Sequence, residues 1–132
     1  MAVELEMILR LLLAAALGAI IGFQRERAGK TAGIRTNILI CVGAALFTVV
    51  SYGFGAAADP SRIAAGVVAG IGFLGAGVII RTGEGFVGGL TTAATIWAVA
   101  GIGLAAGTGL YLISAVATFL VLIVLLLPHP IR

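Results

Sequence analysis

Apolar residues fill five long stretches of this chain, and short polar or glycine-rich connections separate them. The stretches lie at residues 5–23, 34–54, 62–81, 90–106 and 110–127. Each is close to the roughly 20 residues that an α-helix needs to cross a hydrocarbon layer of ~30 Å. The pattern therefore predicts an all-α membrane protein, a bundle of five transmembrane helices forming one domain over residues 1–132.

The third stretch is uncharged between Arg62 and Arg81 and is rich in glycine. Its glycines, which face several directions on a helix, are Gly66, Gly70, Gly72, Gly75 and Gly77. Membrane helices associate by close van der Waals approach, so small residues mark contact surfaces. We therefore expect this helix at the centre of the bundle. The alternative is that glycine is simply more frequent in membrane helices than in soluble ones.

Small residues also recur on the first stretch, where Ala14, Gly18 and Gly22 are spaced four apart and share one helical face. The fifth stretch has many leucines and no glycine, so we expect it at the periphery, facing lipid. Glycine surfaces on the first and third helices exceed what packing within one chain needs. They predict a homo-oligomer, most simply a dimer. Glu6 and Arg10 are four apart and can form an ion pair.

The connection between the first two helices, residues 24–35, is the most charged part of the chain. It contains Arg25, Glu26, Arg27, Lys30 and Arg35. Basic residues concentrate in cytoplasmic loops, so we expect this connection in the cytoplasm. Five spans then place the N-terminus outside and the C-terminus inside.

Composition agrees with a membrane protein. Of the 132 residues, 61% are hydrophobic and 10% are charged, and the mean hydropathy is +1.25. A soluble domain of this length could not bury so much apolar surface. The net charge of +3 sits beside the predicted helices, which suits topology and anionic lipid better than nucleic acid. We expect the lipid bilayer as a partner, and no nucleic acid.

Residues with catalytic or metal-binding chemistry are sparse. Cys41 is the only cysteine, which excludes an intrachain disulfide and a cysteine-based metal cluster. His129 lacks a second ligand nearby. The chain shows no nucleophile and base pair, phosphate loop or zinc motif. We therefore expect no catalytic residues, no enzyme activity, no cofactor and no metal centre, with magnesium left open as a ligand or a transported ion.

One set of polar residues gathers at the cytoplasmic level, where the first and third helices end and the second and fourth begin. The set comprises Arg25, Glu26, Arg35, Thr36, Asn37, Arg81, Thr91 and Thr92. Helix N-termini carry unpaired N–H groups and the positive dipole end, and arginines strengthen that field. We expect a pocket for a lipid headgroup, a phosphate or the acidic side of a partner. Alternatively, these residues only cap helices and set topology.

The acidic residues bear on magnesium, which binds hard oxygen ligands. They are Glu4, Glu6, Glu26, Asp59 and Glu84, and none lies in the middle of a predicted helix. A neutral path is the remaining alternative, although its hydroxyls are expected to hydrogen-bond within the bundle. Those hydroxyls belong to Thr48, Ser51, Thr95 and Ser114. At the external turn, Asp59 and Arg62 can pair, and we favour a helix-capping role for Asp59 over a cation entry site.

Six motifs, in order along nearly the whole chain, resemble the MgtC/SapB family of bacterial membrane proteins. They are Gly-Ala-Ile-Ile-Gly-Phe at 18–23, Ala-Gly-Ile-Arg-Thr-Asn at 32–37, Gly-Ala-Ala-Leu-Phe at 43–47, Arg-Ile-Ala-Ala at 62–65, Gly-Ile-Gly-Phe-Leu-Gly-Ala-Gly-Val-Ile at 70–79 and Gly-Leu-Thr-Thr-Ala-Ala-Thr-Ile-Trp at 89–97. The sequence departs from the usual family residues at Gln24, Gly66 and Gly88. The soluble C-terminal domain of many members is also not expected here.

The resemblance implies a bacterial inner-membrane protein linked to growth at low magnesium and, in some pathogens, to survival inside host cells. Members carry a magnesium-transporter name, and a regulatory role is an equally common proposal for the family. With so few acidic ligands, we favour a non-enzymatic protein of magnesium and envelope homeostasis that binds lipid or a membrane-protein partner. The alternative is a transporter for magnesium or another small ion.

Overall fold

The computed structural model describes residues 2–81 and 87–128 of the chain. Five α-helices dominate these residues, which confirms the predicted all-α fold. The helices are α1 (Ala2–Arg27), α2 (Ile34–Ser51), α3 (Pro60–Val78), α4 (Leu90–Thr108) and α5 (Tyr111–Leu125). A 3-10 turn, Tyr52–Phe54, extends α2. Two short strands, β1 (Ile80–Arg81) and β2 (Val87–Gly88), pair antiparallel between α3 and α4.

Four described helices are long and apolar enough to cross a membrane, namely α1, α2 with its 3-10 turn, α3 and α4. The fifth, α5, is apolar but shorter, with 15 residues. Consecutive helices run in opposite directions, so α1 and α3 end on the side where α2 and α4 begin. We call this side the Arg25 end and the opposite side the Asp59 end.

Local chemistry sets the helix boundaries. At the start of α3, the Asp59 side chain accepts a hydrogen bond from the backbone N–H of Ser61, and Pro60 occupies the first helical position, both typical of a helix N-terminus. Gly109 ends α4 with φ +94°, a backbone conformation that glycine adopts without steric cost. This left-handed residue lets α5 begin two residues later, at Tyr111, one residue after the predicted start.

The structure corrects the expected centre of the bundle. Of the 19 residues of α4, ten are buried, and they face α1, α2, α3 and α5. By contrast, α3 buries only Ile71 and Gly75. The helix at the centre of this chain is therefore α4, and the glycine-rich α3 lies at the edge.

The helix α4 is central because its glycines, unlike those of α3, lie against the backbone of a neighbouring helix. A Cβ added at Gly107 would lie 2.7 Å from the carbonyl oxygen of Ala45, and one at Gly103 would collide with the carbonyl oxygen of Cys41. These glycines let α4 press against α2. On α3 a Cβ at Gly75 would only touch Ala93, at 3.6 Å. The remaining α3 glycines have nothing within 4 Å of that position, and they are Gly66, Gly70, Gly72 and Gly77.

The helices α1 and α2 pack closely through the small face of α1. A Cβ at Gly18 would lie 2.7 Å from the carbonyl oxygen of Asn37, and one at Gly22 would lie 2.6 Å from the Cα of Ile34. Ala14, on the same face, is fully buried. Close backbone approach of this kind is how membrane helices associate, so α1, α2 and α4 form the tight core of the bundle.

Candidate functional site

The Arg25 end contains a buried arginine. Arg25 is 3% exposed, and its Nη2 donates a hydrogen bond of 3.0 Å to Oγ1 of Thr92, which is also buried. Within the described part of the chain, Arg25 makes no ion pair with a carboxylate, and its Nε has no hydrogen-bond partner. A buried cation is costly unless it is paired and hydrogen-bonded, so this position is unusual for a purely structural residue.

Two further polar groups lie buried at the same end. Asn37 is fully buried, and its Nδ2 donates to the carbonyl oxygens of Ala32 at 3.1 Å and Gly33 at 2.9 Å. The Oδ1 of Asn37 and the Oε1 of Gln24 have no hydrogen-bond partner among the described residues. Most buried polar groups in proteins are paired. The Arg25 end therefore holds two unused hydrogen-bond acceptors as well as an uncompensated positive charge.

The other residues predicted at this level occupy separate places. Glu26 is exposed, and its Oε1 accepts a hydrogen bond of 3.1 Å from the N–H of Ile34, which ties the end of α1 to the start of α2. Three further members of the set are exposed, namely Arg35, Thr36 and Thr91. The backbone of Arg81 pairs with Val87 in the ladder. Its side chain, Glu84 and His129 lie outside the described residues.

Sequence reasoning missed that Arg25 is buried, although the spacing contained the signal. Gly18, Gly22 and Arg25 lie at i, i+4 and i+7, which is one face of a helix. Since the two glycines were predicted to pack against another helix, Arg25 is expected on the same packed face of α1. The direct bond from Arg25 to Thr92 joins residues 67 positions apart and could not be read from spacing. Sequence reasoning likewise did not identify Gln24 as a residue with a buried polar atom at the Arg25 end.

The Asp59 end contains two polar clusters. Oδ1 of Asp59 accepts hydrogen bonds from the N–H of Ser61 at 3.0 Å and from its hydroxyl at 2.8 Å. Asp59 and Arg62 are both exposed, and no ion pair joins them in the described part of the chain. The carboxylate of Asp59 thus acts as a helix cap in this structure.

Capping predicts a specific result at Asp59. Asp59→Ala should lower the free energy of unfolding by about 1 kcal/mol, because an orphan N–H at the start of α3 loses its acceptor. Asp59→Asn should change it little, since asparagine is an equally good cap. Thermal unfolding in detergent, followed by circular dichroism, measures both. Equal destabilisation by the two variants would show that the negative charge matters and would contradict the capping role.

The second cluster at this end joins α1 to α4 and α5. Arg10 pairs with Glu6, with 3.2 Å between Nε and Oε2, which confirms the predicted ion pair. Nη1 of Arg10 also donates to the carbonyl oxygen of Gly107 at 3.0 Å. The hydroxyl of Tyr111 donates to Glu6. These charges are therefore engaged in holding helices together.

Hydroxyl groups along the helices are also engaged. Each donates to a backbone carbonyl of its own helix: Thr48 to Ala44, Ser51 to Thr48, Thr95 to Thr91, and Ser114 to Tyr111. Such bonds are the usual way in which Ser and Thr are satisfied inside a helix. These groups are not arranged as a row of free ligands.

Apolar helices with charged residues at their ends define a polytopic helical membrane protein. The MgtC family model matches residues 11–132, and the chain belongs to the MgtC family. This finding confirms the resemblance seen in the motifs.

Several relatives support the assignment. "Putative magnesium transporter YhiD" of Escherichia coli (strain K12) is 47% identical over 132 residues, covering 94% of this chain and 61% of the relative. "Protein MgtC" of Brucella abortus (strain 2308) is 49% identical over 115 residues, covering 86% of this chain and 48% of the relative. "Protein SrpB" of Synechococcus elongatus is 45% identical over 129 residues, covering 88% and 71%.

This chain thus spans about three fifths of the Escherichia coli relative and half of the Brucella relative. No solved structure matches the chain.

Proposed function

We propose that this protein is a non-enzymatic inner-membrane protein of magnesium and envelope homeostasis, and that it acts by holding an anionic group at its Arg25 end. The anionic group belongs to a lipid headgroup or to a membrane-protein partner. The link to magnesium rests on family membership and on the name of the Escherichia coli relative.

The observation that carries the binding role is the buried, unpaired guanidinium of Arg25. It lies against Thr92 in the first turn of α4, where unpaired N–H groups and the positive dipole end already favour an anion. In a low-dielectric setting an uncompensated charge acts more strongly than in water. An arriving phosphate or carboxylate would supply the missing counter-charge.

The distribution of basic residues also supports one orientation of the chain in the membrane. Arg25, Arg27, Lys30 and Arg35 all lie in or beside the connection from α1 to α2 at the Arg25 end. The positive-inside rule then places this end in the cytoplasm. In that orientation the N-terminus is outside, the C-terminus is inside, and the Arg25 end faces the anionic lipids of the inner leaflet.

Transport of magnesium or another small ion is the second candidate, and the name of the Escherichia coli relative favours it. Within one chain, two features oppose a cation path through α1, α2 and α4. The glycine contacts press these helices together without space for a side-chain methyl group, and Arg25 adds positive charge at one end. A transport path would need to run outside this core.

Two measurements on the purified full chain separate the candidates. In native mass spectrometry we expect more phosphatidylglycerol than phosphatidylcholine to remain bound. In proteoliposomes we expect no saturable magnesium flux. Saturable flux that is lost in Asp59→Asn or Glu26→Gln would establish transport and overturn the proposal, and equal binding of the two lipids would exclude a lipid headgroup as the anionic group. The homodimer remains part of the proposal, and crosslinking in detergent that yields only monomer would contradict it.

A further inference from the structure

A groove of about 670 Å³ runs between α2 and α3. Its lining is entirely apolar and includes Leu39, Gly43 and Phe47 on α2 and Gly66, Gly70 and Leu74 on α3. All three glycines have nothing within 4 Å of the position that a Cβ would take. The groove is therefore an open apolar surface at membrane depth.

Both walls of the groove lie near the middle of their helices. At a rise of 1.5 Å per residue, the α2 wall from Leu39 to Phe47 is about 12 Å long, and the α3 wall from Ile63 to Leu74 is about 17 Å long. The hydrocarbon core is ~30 Å thick. Each wall is therefore about as long as the half of the core that one acyl chain occupies.

The groove also lies close to a free cation. Its α2 wall starts at Leu39, five residues after α2 begins at the Arg25 end. Arg35 lies one helical turn before Leu39 on the same face. Arg35 is exposed and makes no hydrogen bond or ion pair in the described part of the chain. The exposed hydroxyl of Thr36 precedes Ile40, another lining residue, by one turn.

We propose that the groove between α2 and α3 holds one acyl chain of an anionic phospholipid, with its headgroup phosphate at Arg35. The walls supply the place for the tail, and Arg35 supplies the preference for negative charge. Lipid tails are as apolar as the groove, so the tail contributes retention without headgroup selectivity. This inference deepens the proposed function, because it names the ligand as a lipid and assigns it a second anchoring point.

The test measures the contributions of the acyl tail and of the headgroup to lipid retention separately. Gly70→Leu fills the groove, and Gly72→Leu is the matched control, because Gly72 is equally open but does not line the groove. Arg35→Gln removes the cation, and Arg27→Gln removes an exposed arginine at the same end, on α1, which does not line the groove. Each full-length variant is released from nanodiscs of phosphatidylglycerol and phosphatidylcholine, and native mass spectrometry counts the lipids that remain bound.

We expect Gly70→Leu to lose one retained lipid per chain, whichever headgroup it carries. We expect Arg35→Gln to keep the count but to lose roughly fivefold in preference for phosphatidylglycerol, since a basic residue near an anionic surface contributes about 1 kcal/mol. Both controls should match the wild type. Gly66→Leu provides a second groove-filling variant, and circular dichroism confirms that each variant is helical.

An unchanged lipid count in Gly70→Leu and Gly66→Leu would overturn the inference. A changed fraction of crosslinked dimer with an unchanged lipid count would overturn it in favour of a second copy in the groove. If the wild type prefers phosphatidylglycerol and only an Arg25 variant loses this preference, the proposed function stands and the groove inference fails. If the wild type shows no preference, the groove inference fails together with the lipid form of the proposed function.

Discussion

Gly103→Ala is expected to lower the free energy of unfolding by about 1–3 kcal/mol, the usual cost of forcing an extra carbon into a packed core. The added Cβ would collide with the carbonyl oxygen of Cys41 and would lie 2.9 Å from the Cβ of Ala44. The obstructing oxygen belongs to the backbone, so no side chain can rotate away. The whole of α2 must shift, and its contact with α1 through Gly18 shifts with it.

The matched control is Gly101→Ala on the same helix. Gly101 is exposed and has nothing within 4 Å of a Cβ position. Alanine is favoured over glycine inside a helix by up to about 1 kcal/mol, so this variant should be as stable as the wild type or more so. Denaturation in detergent, followed by circular dichroism, measures both changes. The same sign for both variants would contradict the central position of α4.

The helices themselves could be predicted from the sequence because few backbone structures can cross the hydrocarbon core of a membrane. An apolar stretch of about 20 residues in a chain this hydrophobic forms a spanning helix. The structure begins α2 at Ile34, as predicted, and ends α3 at Val78 rather than 81. The difference at α3 arises because Ile79 is extended, with φ −72° and ψ 120°, and leads into β1.

The order of helices around the centre could not be predicted in the same way. Gly70 and Gly103 look alike in the sequence, but only Gly103 meets a neighbouring backbone. Glycine indicates that close approach is permitted, and the partner depends on the positions of all the other helices. Small alanines such as Ala100 and Ala106 also form the buried faces of α4, which a search for glycines overlooks.

The candidate site was likewise predictable from the sequence only in part. Arg25 was identified from its charge, whereas its burial was missed, although its spacing to Gly18 and Gly22 along α1 indicates it. Its hydrogen bond to Thr92 depends on how α1 crosses α4, which is a non-local property. The groove beside Arg35 was also beyond sequence reasoning, because it exists only where α2 and α3 fail to close against each other.

Arg25→Met should separate stability from binding. Methionine is apolar and flexible enough to fill the same space. Removing a buried, unpaired charge should leave the free energy of unfolding unchanged or raise it by up to about 4 kcal/mol, as when buried ion pairs are replaced by apolar residues. The lost hydrogen bond to Thr92 is worth less than the desolvation of the cation.

Binding should respond in the opposite direction. Hydrogen bonds to charged groups contribute about 1.5–3 kcal/mol, so Arg25→Met should weaken retention of phosphatidylglycerol by roughly 10- to 100-fold. Arg27→Met is the control, because Arg27 is exposed on the same helix and its guanidinium carbon lies over the ring of Phe23, 5.6 Å from the ring centroid. It should lose roughly fivefold or less. Loss of stability in Arg25→Met with lipid binding intact would show that Arg25 serves the fold. Replacing a residue that is needed for binding usually leaves the protein as stable as before or makes it more stable.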